Sequence, residues 1–145
     1  LTIVGEGPER RRLEAAIDRH RAGDWINLAG RVTQDELIHL YRQSWLITSA
    51  SLTEGWGLTL TEAAGCATAA VVSDVPGHRS SVLNGRTGRL VPVSGLGDAL
   101  AEILLDDRQR DSMGRAAQDW ARSLSWDRLA RQVLSPLHQQ VVARS

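Results

Sequence analysis

The chain predicts an α/β fold: a Rossmann-like, doubly wound parallel sheet covered by helices on both faces, ending in a helical tail. Two observations carry this expectation. Short, β-branched apolar runs alternate with stretches of helical periodicity, which is the signature of strands joined by crossover helices. Each run is closed by glycine, proline or helix-capping residues at the expected offsets. A length of 145 residues suits one domain, and 42% hydrophobic with 23% charged residues is ordinary globular usage, which argues against a disordered chain.

The elements follow in order. Leu1 to Val4 is a short strand that runs into Gly5-Glu6-Gly7-Pro8. Pro8 suits a helix first turn, and Leu13, Ala16 and Ile17 recur at helical spacing up to Gly23. Trp25 to Ala29 reads as a second strand closed by Gly30, and Thr33-Gln34-Asp35-Glu36 as a capping box opening a helix striped by Leu37, Leu40 and Tyr41. Trp45 to Thr48 is a third strand with Trp45 expected in the core, Ser51 to Gly57 a polar loop, and Leu58 to Cys66 a helix. Ala70 to Ser73 is a fourth strand; a loop over Asp74 to Gly77 and a short helix over His78 to Leu83 follow. Asn84-Gly85 and Thr87-Gly88 are turns around a last short strand, Arg89 to Val91. Helices then cover Asp98 to Leu105 and Arg108 to Leu124, and a final helix starts after Ser125 and runs past Pro136. The chain opens inside a strand without an initiator Met and is expected to be a piece of a longer fold.

Charge and cysteine content exclude several function classes. Seventeen basic residues balance seventeen acidic ones, so no bulk field draws the chain to nucleic acid, and no nucleic-acid partner is expected. All the basic residues are Arg, which excludes a Schiff-base or P-loop lysine on this chain. Cys66 is the only cysteine, so neither an intrachain disulfide nor a cysteine-rich zinc cluster can form; a cytoplasmic location and a small buried thiol are expected. No apolar run approaches the ~18 residues of a membrane span.

Ligands of open α/β sheets bind beyond the carboxyl ends of the strands. Gly5-Glu6-Gly7 invites a dinucleotide fingerprint, but Arg10 stands at the third glycine and Asn27-Leu28-Ala29-Gly30 offers no acidic residue for a ribose, so a tight strand-to-helix turn is favoured. The loop Thr53-Glu54-Gly55-Trp56-Gly57-Leu58 differs. Two glycines allow close backbone approach, and a helix start offers free N–H groups and a positive dipole end to an anion without any lysine. Glu54 and Glu62, eight positions apart, would flank a phosphate held there and accept bonds from hydroxyl groups. A nucleotide sugar has that chemistry. Against this, acidic residues near helix starts are favoured by the dipole alone, and both glutamates could be plain surface charges.

Ser51-x-x-Glu54-Gly55-Trp56-Gly57-Leu58 with Glu62-Ala63 resembles the E-x7-E signature of the GT4 retaining glycosyltransferases. Ile3 to Pro8, Leu28 to Val32 with Glu36-Leu37, Asp74 to Arg79, Asn84 to Pro92, and Ser125-Trp126 resemble further motifs of that family in the same order, so the likeness covers nearly the whole chain. It implies the C-terminal, donor-binding half of a GT-B fold: residues 1–124 as the Rossmann-like domain, with its first strand and the N-terminal acceptor domain lying outside the chain, and 125–145 as the crossover helix. It implies that Glu62 binds ribose hydroxyls and that Glu54, the catalytic candidate, contacts the transferred sugar. Gly55, Trp56 and the backbone N–H groups of Gly57, Leu58 and Thr59 would serve sugar and diphosphate, and main-chain groups of Arg31 and Val32 the base. It also implies retention at the anomeric carbon and no cofactor or metal beyond the donor substrate. The acceptor would be a saccharide, lipid or small molecule, with peripheral membrane association of a full enzyme left open.

The sequence departs from that pattern in places. The family's diphosphate-gripping Arg and Lys and its active-site histidine fall outside the chain, so the chain alone is expected to transfer no sugar. Cys66-Ala67-Thr68-Ala69 stands where Cys-Gly-x-Pro is common, which loosens a tight turn or marks relaxed constraint. Ala50 replaces a common Pro, and Ser80 a common acidic residue. His78 and Arg79 read as a solvated loop pair at the ligand edge, His39 and His138 as structural, and Trp120 and Trp126 as helix-packing residues. Val133, Leu134, Leu137 and Val141 form an apolar face expected to drive self-association. Two other readings stay open: a non-catalytic nucleotide-sugar-binding fragment or remnant that needs a partner chain, and a GT-B-like nucleotide-sugar epimerase, which the complete E-x7-E pattern disfavours.

Overall fold

The computed structural model describes residues 1–125; Trp126, His138 and the apolar face from Val133 to Val141, with the expected final helix, lie outside the described residues. The chain divides into two compact units, Leu1–Leu40 and Tyr41 onward. Among the described residues all three strand pairs are parallel, grouped in a two-stranded sheet and a three-stranded sheet.

In the first unit, β1 (Thr2–Val4) pairs with β2 (Asn27–Gly30), and α1 (Arg10–Arg19) connects them. The loop between β1 and α1 is a tight turn. Gly5 N–H donates to the Gly30 carbonyl at 2.7 Å, and Arg10 donates to Glu6 at 2.8 Å and to Glu14 at 2.9 Å. The residue that breaks the dinucleotide fingerprint is therefore bonded across the mouth of that loop. Gly30 holds a left-handed φ of +67°, which a side chain would strain; the Glu6 carboxylate, 2.7 Å from an ideal Cβ there, is the end of an exposed side chain that could swing aside. α1 ends in a Schellman motif: Ala22 N–H bonds the Ile17 carbonyl and Arg21 N–H that of Asp18, with Arg21 left-handed at φ 51°. That motif carries the chain through Trp25 and Ile26, whose N–H groups bond the Ala22 carbonyl, so β2 starts two residues later than expected and Trp25 stays exposed. The capping box is present: Glu36 accepts from Thr33 N–H at 2.7 Å, and Thr33 Oγ1 accepts from Glu36 N–H at 3.3 Å, opening α2 (Gln34–Gln43). Those bonds to Thr33 hold the Glu36 carboxyl below its ordinary pKa.

The second unit is built on β3 (Leu46–Ser49), β4 (Ala69–Ser73) and β5 (Gly88–Val91), with β4 in the centre. Every residue of β4 is buried, and its alternation sorts two cores. Ala69 and Val71 face α5 (Leu96–Leu105) and α6 (Asp107–Ser123), packing with Leu96, Ala99, Ile103 and Met113. Ala70 and Val72 face α3 (Leu58–Gly65) and α4 (Pro76–Ser81), packing with Leu60 and Val82. A central parallel strand covered on both faces needs this continuous apolar run.

Several positions differ from expectation. Trp45 precedes β3 and is 64% exposed, with the Arg110 guanidinium 4.6 Å from its ring centroid, so it is no core residue. α4 begins at Pro76 rather than His78, because proline at the first helical position is already set to the helical φ. Cys66 is half-buried as the residue after α3, and His39 is exposed. The turn at Cys66-Ala67-Thr68 is not loosened. Thr68 N–H bonds the Ala63 carbonyl and Ala67 N–H that of Ala64, a second Schellman motif with Ala67 at φ 63°. Beyond it, Gly114 of α6 approaches so closely that a Cβ would collide with the Ala67 carbonyl oxygen. Trp120 donates its indole N–H to the Ser81 carbonyl at 3.3 Å, tying α6 to the end of α4. Among the described residues, no helix is long and apolar enough to cross a membrane.

Candidate functional site

The loop from Ala50 to Gly57 leaves the carboxyl end of β3 and opens α3. It is held from two sides. Ser73, at the end of β4, donates its hydroxyl to the Ser51 carbonyl at 2.6 Å. Gly77, in the first turn of α4, lies against the Glu54–Gly55 backbone so closely that a Cβ there would overlap the Glu54 carbonyl oxygen. Only glycine allows α4 to approach this loop.

Gly57 is the residue before α3 and takes the left-handed φ of +79°. A side chain there would press on Leu60 and on the Ser81 hydroxyl, both 3.1 Å from an ideal Cβ. No side chain caps α3. Leu60 and Thr61 N–H bond back to the Gly57 carbonyl, which leaves the first N–H groups, on Leu58 and Thr59, available to an anion at the positive end of the helix. Trp56 folds back over this turn and donates its indole N–H to Thr61 Oγ1 at 3.0 Å. Leu52 and Leu58 are strongly exposed on the same segment.

The two glutamates flank the helix start. Glu54 is exposed in the loop, and its Oε1 accepts from the neighbouring Gly55 N–H at 3.1 Å. Glu62 is the fifth residue of α3, also exposed, and its Oε2 accepts from the Tyr41 hydroxyl at 3.1 Å. Tyr41 is buried. Its burial, followed by the hydrogen bond and charge of Glu62, pushes its pKa well above that of an ordinary phenol. Glu54, Gly55, Trp56, Gly57, Leu58, Thr59 and Glu62 thus form one contiguous loop and helix start. Arg31 and Val32 belong to the first unit, directly after β2, with Arg31 exposed and Val32 half-buried.

The pair after β4 is not a solvated one. His78 is only 1% exposed: its Nδ1 donates to the Ser73 carbonyl at 2.8 Å, and its Nε2 is buried with no hydrogen-bond partner. Arg79 does face solvent and grips Asp74 through two bonds, of 2.6 and 3.1 Å; that pairing lowers the Asp74 pKa. Sequence reasoning placed Tyr41 in an apolar helix stripe and Gly77 in a loop at the ligand edge, without its close approach to Glu54, and gave Thr61 and Ser73 no role at the site. A lone tyrosine hydroxyl at the end of a stripe was the available signal for the first. The others depend on contacts across the fold.

Residues 1–120 match the family model described as glycosyl transferases group 1. The chain is 31% identical over 146 aligned positions to D-inositol 3-phosphate glycosyltransferase of Paenarthrobacter aurescens, covering 97% of this chain and 36% of that protein. Among solved structures, it is similar to sucrose-phosphate synthase from Thermosynechococcus elongatus, with a TM-score of 0.83 and 29% identity over 100% of this chain and 39% of the other. It is also similar to the pneumococcal O-GlcNAc transferase GtfA, solved with UDP and GlcNAc, with a TM-score of 0.80 and 25% identity over 95% of this chain and 29% of that one. The chain spans about a third of the length of the curated relatives it matches. Its α/β architecture of parallel strands and helices is that of the C-terminal domain of GT-B glycosyltransferases. With a family match over five-sixths of its length, the chain belongs to the group 1 glycosyltransferases.

Proposed function

We propose that this chain is the donor-binding part of a retaining glycosyltransferase, holding a nucleotide-diphosphate sugar at the start of α3. The observation that carries the reading is the uncapped, glycine-opened start of α3 between two exposed carboxylates, Glu54 before it and Glu62 one turn within it. The diphosphate accepts from the N–H groups of Leu58 and Thr59, Glu62 accepts from the ribose hydroxyls, and Glu54 from hydroxyls of the sugar. Gly55 and Trp56 shape the sugar side. In the reaction, the bond from the anomeric carbon to the diphosphate oxygen breaks and one to an acceptor hydroxyl oxygen forms, the acceptor proton leaving to the diphosphate or water. Fixed N–H dipoles at the helix start stabilise the charge that gathers on the departing diphosphate, without calling on a metal. The acceptor, and a further domain or chain that brings it, lie beyond these residues. A similar solved structure holds UDP and GlcNAc, and another is a GtfA/B complex, which supports both the ligand class and the need for a partner.

A two-by-two titration tests this. Wild type, Glu54→Ala and Glu62→Ala are titrated with UDP, GDP and ADP and with their sugar conjugates, by calorimetry or NMR at up to millimolar ligand. Losing a charge-assisted hydrogen bond costs about 1.5–3 kcal/mol, roughly ten- to a hundred-fold in affinity. Glu62→Ala is expected to weaken nucleotide and nucleotide sugar alike, and Glu54→Ala only the latter. If neither substitution changes binding of a ligand that the wild type binds, the assignment of the two glutamates is wrong.

A further inference from the structure

We propose that Tyr41 is a positioning residue for the Glu62 carboxylate: its phenol O–H holds Oε2, leaving Oε1 to accept from the ribose of a bound nucleotide. This rests on the reading of Glu62 as the ribose acceptor. An exposed glutamate on a helix samples several rotamers, and fixing it upon binding costs side-chain entropy. Here that cost is met in advance by a buried donor. Tyr41 is 7% exposed while Glu62 is exposed, so the bond joins a rigid side chain to a free one at 3.1 Å. Tyr41 is itself fixed at its other end, because its backbone carbonyl accepts from the Thr68 hydroxyl at 2.7 Å. Thr68 belongs to the Schellman motif that closes α3, the helix bearing Glu62. The tyrosine is thus anchored by the end of α3 and acts on the middle of it. The high pKa of the phenol keeps it a donor throughout the neutral range.

Tyr41 is the only tyrosine in the chain, so 13Cζ-labelled tyrosine gives one assigned resonance without further work. That resonance is expected to move as acid protonates the carboxylates in wild type and to stay flat in Glu62→Gln; the same acid shift in both would overturn the contact. Binding of UDP, GDP and ADP is then measured for wild type, Tyr41→Phe, Glu62→Ala and the double variant. Tyr41→Phe removes only the hydroxyl and is expected to weaken the nucleotide that binds by roughly five- to tenfold, in line with one hydrogen bond. In the Glu62→Ala background it should change binding less than twofold. A purely structural tyrosine would lower the unfolding midpoint without this dependence on Glu62. If Glu62→Ala weakens binding and Tyr41→Phe does not, the positioning role is overturned and the ribose reading stands. If Glu62→Ala has no effect, or no nucleotide binds the wild type, the ribose reading falls and takes the positioning role with it.

Discussion

Gly77→Ala is the sharpest test of how the donor loop is held. An ideal Cβ at this position overlaps the Glu54 carbonyl oxygen and lies 2.5 Å from the Glu54 carbonyl carbon and 2.9 Å from that of Gly55. Ordinary carbon–carbon contact begins near ~3.5 Å, so the loop and α4 must part by roughly 1 Å. All three obstructing atoms are backbone, so no side chain can rotate away. Neither partner moves cheaply: the loop is bonded through Ser51 to Ser73, and α4 is anchored by the buried His78 on the Ser73 carbonyl. Overpacking of this kind costs about 2–3 kcal/mol, or roughly 5–10 °C in Tm for a chain of this length. Urea unfolding followed by tryptophan fluorescence gives the first number, and amide shifts of Glu54 and Gly55 report the displaced loop. Gly97→Ala is the control, since a Cβ there meets nothing within 4 Å; it should be neutral or stabilise by less than about 1 kcal/mol. A Gly77→Ala protein within about 0.5 kcal/mol of wild type, with Glu54 and Gly55 amides unmoved, would refute the close approach.

Ala67→Gly should stabilise the fold by about 1 kcal/mol in urea unfolding, because Ala67 holds a left-handed φ of 63° that glycine adopts without penalty. Ile103→Ala should cost about 2–5 kcal/mol by the same assay, the residue being fully buried between β4 and α6. The raised pKa of Tyr41 predicts an alkaline weakness: the unfolded phenol ionises near pH 10 while the folded one stays protonated, so its stabilising effect is intact below pH 10 and is lost above it by about 1.4 kcal/mol per pH unit. No lysine titrates in that window, and Tyr41→Phe should flatten the slope of unfolding free energy between pH 10 and 11.5.

What the sequence determined by itself is what short-range chemistry decides. The alternation of apolar runs with helical periods settled the parallel α/β class, because side-chain direction repeats with the local backbone period. The Thr33–Glu36 capping box was readable three residues at a time, since both of its bonds close within one turn. The loop from Glu54 to Leu58 was readable as a glycine-opened helix start for the same reason. Only the tertiary structure decided the rest. Trp25 and Trp45 are strand-like by composition, yet the turn after α1 and the late start of β3 leave both in solvent. His78 is polar and follows a proline and a glycine, yet the helix that Pro76 opens turns it against Ser73 and buries it. Ala67 takes a conformation its side chain disfavours because the Schellman bonds that end α3 require it. Glu62 and Tyr41 stand 21 positions apart and meet only when the second unit, from Tyr41 onward, folds. A contact between distant residues depends on the relative placement of whole elements, and no local pattern encodes that placement.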